Sequence, residues 1–516
     1  MPAAHDASRR RFVLGAAAVT AGIGAAGIGA AGAGTTGSGA TGAGDEALAD
    51  LTAIEATARM QRGELPCERY AEALLARCRR ARALNAFITL EPDRVLEQAR
   101  GRDRERRAGA ALGSLFGLPI PVKDSVNTRD YPTTAGTPAL RTFRPAADAP
   151  VVAALKRAGA IVLGKTNLHE LSYGWTSNNL AYGAVHNPYD PTRIPGGSSG
   201  GTAAAIAARL APLGIAEDTE GSIRVPAAFC GIHGFRPTTG RYPTRGCVPI
   251  SPLFDQVGPH ARCVADLALF DSVLTAERPI GPAASLRGIR LGLARDYWFG
   301  GLDPEVERIT GLALRRLADA GATLVDAPLP GVGRLVDLST DQIQNHDVRF
   351  ALARYLEEYS APVTFEQLIE RASPDIRSIF QSYVLPGGEH FVTEAVYADA
   401  RDHYLPQLKR AYRDYFASHR LAAMVFPTTR VPPPRIGEET VIDIAGAAVP
   451  FEDAVARNIA PGSTAGLPGL VLPAGLTAGG LPVALEFDGP AGSDAGLLAL
   501  GAALEQALGP LAAPNA

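Results

Sequence analysis

The sequence predicts an α/β protein: one large domain with a mixed, mostly parallel central β-sheet covered by helices on both faces. Three observations lead there. Segments of helical period alternate with short apolar strands through most of the chain. The 516 residues are 46% hydrophobic and 20% charged, a globular composition long enough for a large buried core. The 56 glycines and 40 prolines are spread without a fixed period, which excludes collagen-like and fully disordered chains.

The elements follow in order. Apolar positions three or four apart predict helices over 47–62, 67–83 and 92–107. A short apolar strand spans 118–123. Helix 151–159 then leads into strand 160–164, and helix 202–210 into strand 211–215. Helix 304–320 and strand 322–326 repeat that order. Region 330–420 reads as helical and is expected to cover a pocket. Further strands are expected at 421–427, 469–473 and 483–487, with a closing helix at 495–508.

The N-terminus stands outside this pattern. Ser8-Arg9-Arg10-Arg11-Phe12-Val13-Leu14 precedes a weakly apolar Ala/Gly run and a Gly/Ser/Thr stretch to about residue 44. This resembles a twin-arginine export signal, so the export machinery is an expected partner and a bacterial periplasmic or secreted location is expected. The folded domain is then 45–510, with a tail at 511–516. The five cysteines (Cys67, Cys78, Cys230, Cys247, Cys263) include no C-x-x-C pair; they read as buried apolar thiols, and a disulfide is left open. With 50 basic against 53 acidic residues and a formal charge of −3, there is no basic field for a nucleic acid.

Three segments carry chemistry. Four of the 50 basic residues are lysines, and Lys123 ends the apolar strand 118–123. Burial disfavours an ammonium, so Lys123 is expected to become a base; a plain ion pair with Asp124 or another carboxylate is the alternative. Next, Gly196-Gly197-Ser198-Ser199-Gly200-Gly201 precedes an Ala-rich helix. Its glycines permit unusual backbone and expose amides near a helix start. Last, Glu217-Asp218-Thr219-Glu220-Gly221-Ser222-Ile223-Arg224 is expected to leave strand 211–215 as a polar turn. A nucleophilic serine needs such a turn, with amides beside it to hold an oxyanion. None of the nine histidines lies in these segments; His169 and His233 lie in stretches that flank them, and both are expected to be structural.

Together these motifs resemble the amidase signature family. Supporting stretches at 164–170, 187–190, 231–237 and 465–468 match as well, and the resemblance covers roughly 47–508. The signature core would be about 113–270. The resemblance implies the amidase signature fold and a Ser–cis-Ser–Lys triad: Ser222 as nucleophile, Ser198 as bridging cis-serine, Lys123 as base. It implies backbone oxyanion donors at Thr219, Glu220, Gly221 and Ser222, and a supporting role for Ser199. No metal and no cofactor is implied. Many relatives have Gly where this chain has Glu220. That side chain could pair with Arg224 or another arginine, or touch the substrate.

Region 224–266 is most similar to the mandelamide and indoleacetamide hydrolase branch, which implies a small aryl or arylacetic carboxamide cleaved to acid and ammonia through an acyl-enzyme. Tyr173 and Trp175, with Thr176 and Asn178, would shape the acyl pocket. Two alternatives stand: an exported hydrolase of peptide C-terminal amides or anilides with the same triad, and a non-catalytic binding protein on the same fold. A tRNA-dependent amidotransferase subunit fits poorly with an exported chain. A homodimer is left open.

Overall fold

The computed structural model describes residue 44 and residues 46–514. The twin-arginine segment and its linker therefore lie outside the described residues, except for residue 44. The tail is described to residue 514, where the Tyr189 hydroxyl donates to the Ala512 carbonyl.

Eleven strands form one sheet: β1 (Phe87–Thr89), β2 (Pro119–Lys123), β3 (Ile161–Thr166), β6 (Leu213–Asp218), β7 (His233–Arg236), β8 (Gln256–Ala261), β9 (Arg290–Leu293), β10 (Thr323–Asp326), β11 (Ala423–Pro427), β14 (Gly469–Leu476) and β15 (Pro482–Asp488). Two short ribbons, β4 with β5 (Asn178–Asn179, Gly183–Ala184) and β12 with β13 (Val441–Ile444, Ala447–Pro450), stand apart. The order is β1-β3-β2-β6-β8-β7-β14-β15-β11-β9-β10.

The expected mixed sheet flanked by helices is what the chain forms. Parallel pairing falls in two blocks, β3-β2-β6 and β11-β9-β10. An antiparallel run, β6-β8-β7-β14-β15-β11, joins them. Helix–strand alternation signals the two blocks, because parallel neighbours need a crossover. The antiparallel run lacks that signal.

The first block builds the site. The five residues of β2 and the six of β3 and β6 are all buried. Such near-continuous apolar runs are typical of strands covered on both faces. Helix Gly200–Ala207, buried along its whole length, lies against them, and the Thr202 hydroxyl bonds to Thr166 (2.6 Å) and to the Ile215 carbonyl (3.2 Å). The 330–420 region is helical as expected, including Thr340–Glu358, Phe365–Arg371 and Pro374–Ile379. Its apolar faces form a second core, in which Val348, Leu352, Leu368 and Phe380 join Leu140, Phe143 and Leu171.

One local expectation is displaced. Strand β6 runs on to Asp218, so Glu217 and Asp218 are buried strand residues rather than part of the polar turn expected after residue 215. Each carboxylate has a buried cation. Asp218 accepts from Arg224 Nε (3.1 Å) and faces Arg236 Nε (3.4 Å). Arg224 also reaches Glu486 on β15 (2.6 Å) and Ser463. Burial pushes the Asp218 carboxyl up, but Arg224 and Arg236 outweigh it and hold it at about 2. That contribution to stability is present above the ordinary carboxylate range and is lost as pH falls towards 2. Replacing Arg224 by Ala removes the cation beside Glu486 and leaves Asp218 with Arg236 alone. A loss of about 3–5 kcal/mol is expected in urea unfolding at neutral pH; a loss under ~1 kcal/mol would mean that the network is not structural.

Candidate active site

Lys123 is the last residue of β2, and its amine meets the Gly-Ser loop that precedes helix Gly200–Ala207. Lys123 Nζ stands 2.7 Å from Ser198 Oγ, and both residues are fully buried. The Gly197–Ser198 peptide is cis, as the resemblance implies. The loop is held from outside: the Ser198 carbonyl accepts from the His169 N–H and the Ser177 hydroxyl, each at 3.1 Å. A Cβ on Gly197 would lie 2.7 Å from the Thr176 nitrogen, so only glycine lets the two chain segments approach this closely.

The alternative of an ion pair at Lys123 is also realised, though not with Asp124. Lys123 Nζ lies 2.7 Å from Glu217 Oε1. Asp124 instead pairs with Lys165 at 3.0 Å. Glu217 Oε1 further accepts the hydroxyls of Ser172 (2.5 Å) and Ser125 (3.3 Å). Burial lowers the proton affinity of the Lys123 amine, and the neighbouring Glu217 carboxylate partly restores it; the net direction is down from the ordinary lysine value. The sequence does not mark Glu217 as a partner, because it reads as part of the polar turn after strand 211–215 rather than as a buried strand residue.

Ser222 follows β6 and lines a cleft. Among the described residues, Ser222 Oγ makes no hydrogen bond, and Ser198 Oγ bonds to Lys123. The two serine hydroxyls are thus not bonded to each other. Ser199 sits beside the pair, its hydroxyl donating to the Glu217 carbonyl at 3.0 Å. Of the four expected oxyanion donors, Gly221 differs: its N–H donates to Asp218 Oδ1 at 2.7 Å. The carboxylate that closes the turn occupies that donor, which leaves Thr219, Glu220 and Ser222.

Tyr173 and Trp175 line the cleft together with Thr176 and Phe451. The Tyr173 hydroxyl bonds to Asn345, and the Trp175 indole N–H donates to the Glu220 carbonyl at 2.8 Å. Asn178 stands one step back, donating to Glu439, a cleft residue, at 2.8 Å. Arg224 is committed to Asp218 and Glu486, so Glu220 does not pair with it. Glu220 faces the cleft and accepts from Gln344 Nε2 at 2.9 Å. Gln344 and Ile379 come from the helical region, which therefore does wall the pocket. No sequence motif marks Gln344, Glu439, Phe451 or Glu452 as site residues.

Both nearby histidines have structural partners. His169 Nδ1 contacts Thr176 Oγ1 at 3.1 Å, and His233 Nε2 lies 3.0 Å from Glu505. All five cysteines are free. Chemically, the site offers a buried amine bonded to one hydroxyl, a second hydroxyl at a cleft, and backbone amides beside it. These are the parts of an acyl-transfer centre.

The comparisons agree with that reading. The family model described as "Amidase" matches residues 69–498. The chain is 41% identical over 463 residues to an indoleacetamide hydrolase of Agrobacterium vitis, covering 89% of this chain and 98% of the relative. It is 39% identical over 478 residues to a mandelamide hydrolase of Pseudomonas putida, covering 90% and 92%. The solved structure of a peptide amidase from Stenotrophomonas maltophilia superposes with a TM-score of 0.73 at 31% identity, covering 90% of this chain and 98% of that one.

Proposed function

The chain belongs to the amidase family and is an amide hydrolase, and we propose that it cleaves small aryl or arylacetic carboxamides to the acid and ammonia through an acyl-enzyme. Ser222 is the nucleophile, Ser198 the bridge and Lys123 the base. Neutral Lys123 takes the Ser198 proton while Ser198 takes that of Ser222, and Ser222 Oγ attacks the amide carbon. Catalytic hydrogen bonds commonly tighten once substrate is bound, and the Ser198–Ser222 step is of this kind. The N–H groups of Thr219, Glu220 and Ser222 receive the oxyanion, and each such donor contributes about 3 kcal/mol to the transition state. The proton returns through Ser198 to the nitrogen, the C–N bond breaks and ammonia leaves. Water then attacks the ester, activated by the same relay. Ser199 supports the network without joining it.

The observation that carries this reading is the 2.7 Å contact between two fully buried groups, the Lys123 amine and the Ser198 hydroxyl, in a loop beside a cleft lined by Ser222. The aromatic walls, Tyr173, Trp175 and Phe451, favour a flat acyl group, and the activities named for the two relatives lie in the same substrate class. A second reading has one observation in its favour. Three carboxylates, Glu220, Glu439 and Glu452, line the same cleft, which suits an amide bearing an ammonium group, such as a short peptide amide.

Ammonia release from indoleacetamide, mandelamide, phenylacetamide, a fatty amide and a dipeptide amide separates these readings. The arylacetamides are expected to exceed the others in kcat/KM by at least about 10-fold. Ser222→Ala is expected to stay folded and lose all turnover; retained turnover, or a preference for the dipeptide amide, would overturn the first reading. Export across a bacterial inner membrane belongs to the same proposal and rests on Arg9-Arg10 and the Ala/Gly run after them. Changing both arginines to lysine is expected to keep the full chain in the cytoplasmic fraction; unchanged delivery to the periplasm would contradict it.

A further inference from the structure

A neutral lysine amine has two N–H bonds and one lone pair. To act as a base on Ser198, it must point the lone pair at that hydroxyl, so both N–H bonds need acceptors elsewhere. The acceptors around Lys123 Nζ, apart from Ser198 Oγ, both belong to one residue. Glu217 offers its Oε1 at 2.7 Å and its backbone carbonyl at 3.5 Å. Glu217 is itself fixed. Its carboxylate takes the Ser172 and Ser125 hydroxyls, and its carbonyl takes the Ser199 hydroxyl. The side chains of the pair are 0% and 5% exposed, so water does not compete for these positions.

We propose that Glu217 is the positioning residue of the relay: its carboxylate and carbonyl hold both N–H bonds of Lys123, which leaves the lone pair on Ser198. The proposal rests on the triad reading above. It adds that the residue after Ala216 on β6, rather than burial alone, makes the amine an oriented base of useful strength. No covalent step is added, and the proton path stays Ser222 to Ser198 to Lys123 and back.

Charge and orientation are separable. Glu217→Gln keeps an acceptor of nearly the same shape and removes the charge. Glu217→Ala removes the side-chain acceptor. The ionisable groups that face the pair are Asp218, tied to Arg224 and Arg236, then Cys247, Asp255, His169 and His260. Asp255 matters most for a pH profile: burial, then the Glu217 charge, pushes it up to about 7, while the Thr219 hydroxyl, which donates to it at 2.6 Å, pulls it down. Asp255→Asn is therefore a necessary arm of the test.

The readout is the rate at which a fluorophosphonate labels Ser222, followed by intact mass across pH. It needs no knowledge of the natural substrate, so a wrong substrate assignment leaves the test intact. Removing the Glu217 charge makes the ammonium easier to deprotonate, so the active neutral form persists to lower pH. In Glu217→Gln the acid limb of labelling is expected to move down by about 1–3 pH units, with the plateau within ~10-fold of wild type. In Glu217→Ala the plateau is expected to fall roughly 100-fold. Should the alanine variant fail to fold, the limb of Glu217→Gln decides. A limb unmoved in Glu217→Gln, or one that moves only in Asp255→Asn, overturns the proposal.

Discussion

The site turns on one buried amine. Lys123 lies between a hydroxyl and a carboxylate, 2.7 Å from each, in a part of the protein closed to water. Burial alone would make it a neutral but weak and unoriented base. A carboxylate alone would hold it as an ammonium. The two effects oppose each other, and burial wins by a margin that leaves the amine below its ordinary range. The chemistry downstream depends on that balance, because a serine hydroxyl is a poor nucleophile until a base removes its proton.

The surrounding fold keeps that balance in place. Lys123 is the last residue of β2 and Glu217 the penultimate residue of the neighbouring parallel strand β6, and the two strands are in register through Val122 and Ile215. The Ser198 loop is tied to the segment that follows β3 through His169 and Ser177. Asp218, next to Glu217, closes the nucleophile turn by accepting the Gly221 and Ile223 amides, and Arg224 links it to Glu486 on β15. The same carboxylate thus shapes the turn and removes one amide from the set facing the cleft. Supporting motifs have similar work: Asn187 bonds the carbonyls of Ile194 and Phe229, and Arg236 bonds those of Leu467, Phe254 and Ser463. Neither touches the cleft, and both pin the loops that frame it.

The sequence made much of this legible, and its failures have physical causes. Helix 304–320 and strand 118–123 come out within a residue or so as Pro304–Asp319 and Pro119–Lys123, because period and a proline at the first turn mark them locally. The three motif segments do converge. Residues 217–218 differ most: two adjacent carboxylates read as a polar turn, yet both are buried, Asp218 against Arg224 and Arg236 and Glu217 against Lys123, 94 residues earlier in the chain. Pairings of that kind have no local signature. The same holds for Gln344, Glu439 and Glu452, which lie more than a hundred residues from Ser222 and reach the cleft only through folding. The middle of the sheet was also less visible than its flanks, since antiparallel strands such as β7 and β8 need no crossover helix to announce them.

The most direct test of the central claim is the charge on Lys123 itself. The chain has only four lysines, so protein labelled with carbon-13 and nitrogen-15 lysine gives at most four side-chain amine signals, and Lys123→Arg identifies the one that disappears. The expected result is a Lys123 signal that titrates well below the ordinary lysine value of about 10.4. A Lys123 amine that stays fully protonated up to that value would contradict the account, whatever the activity of the variants.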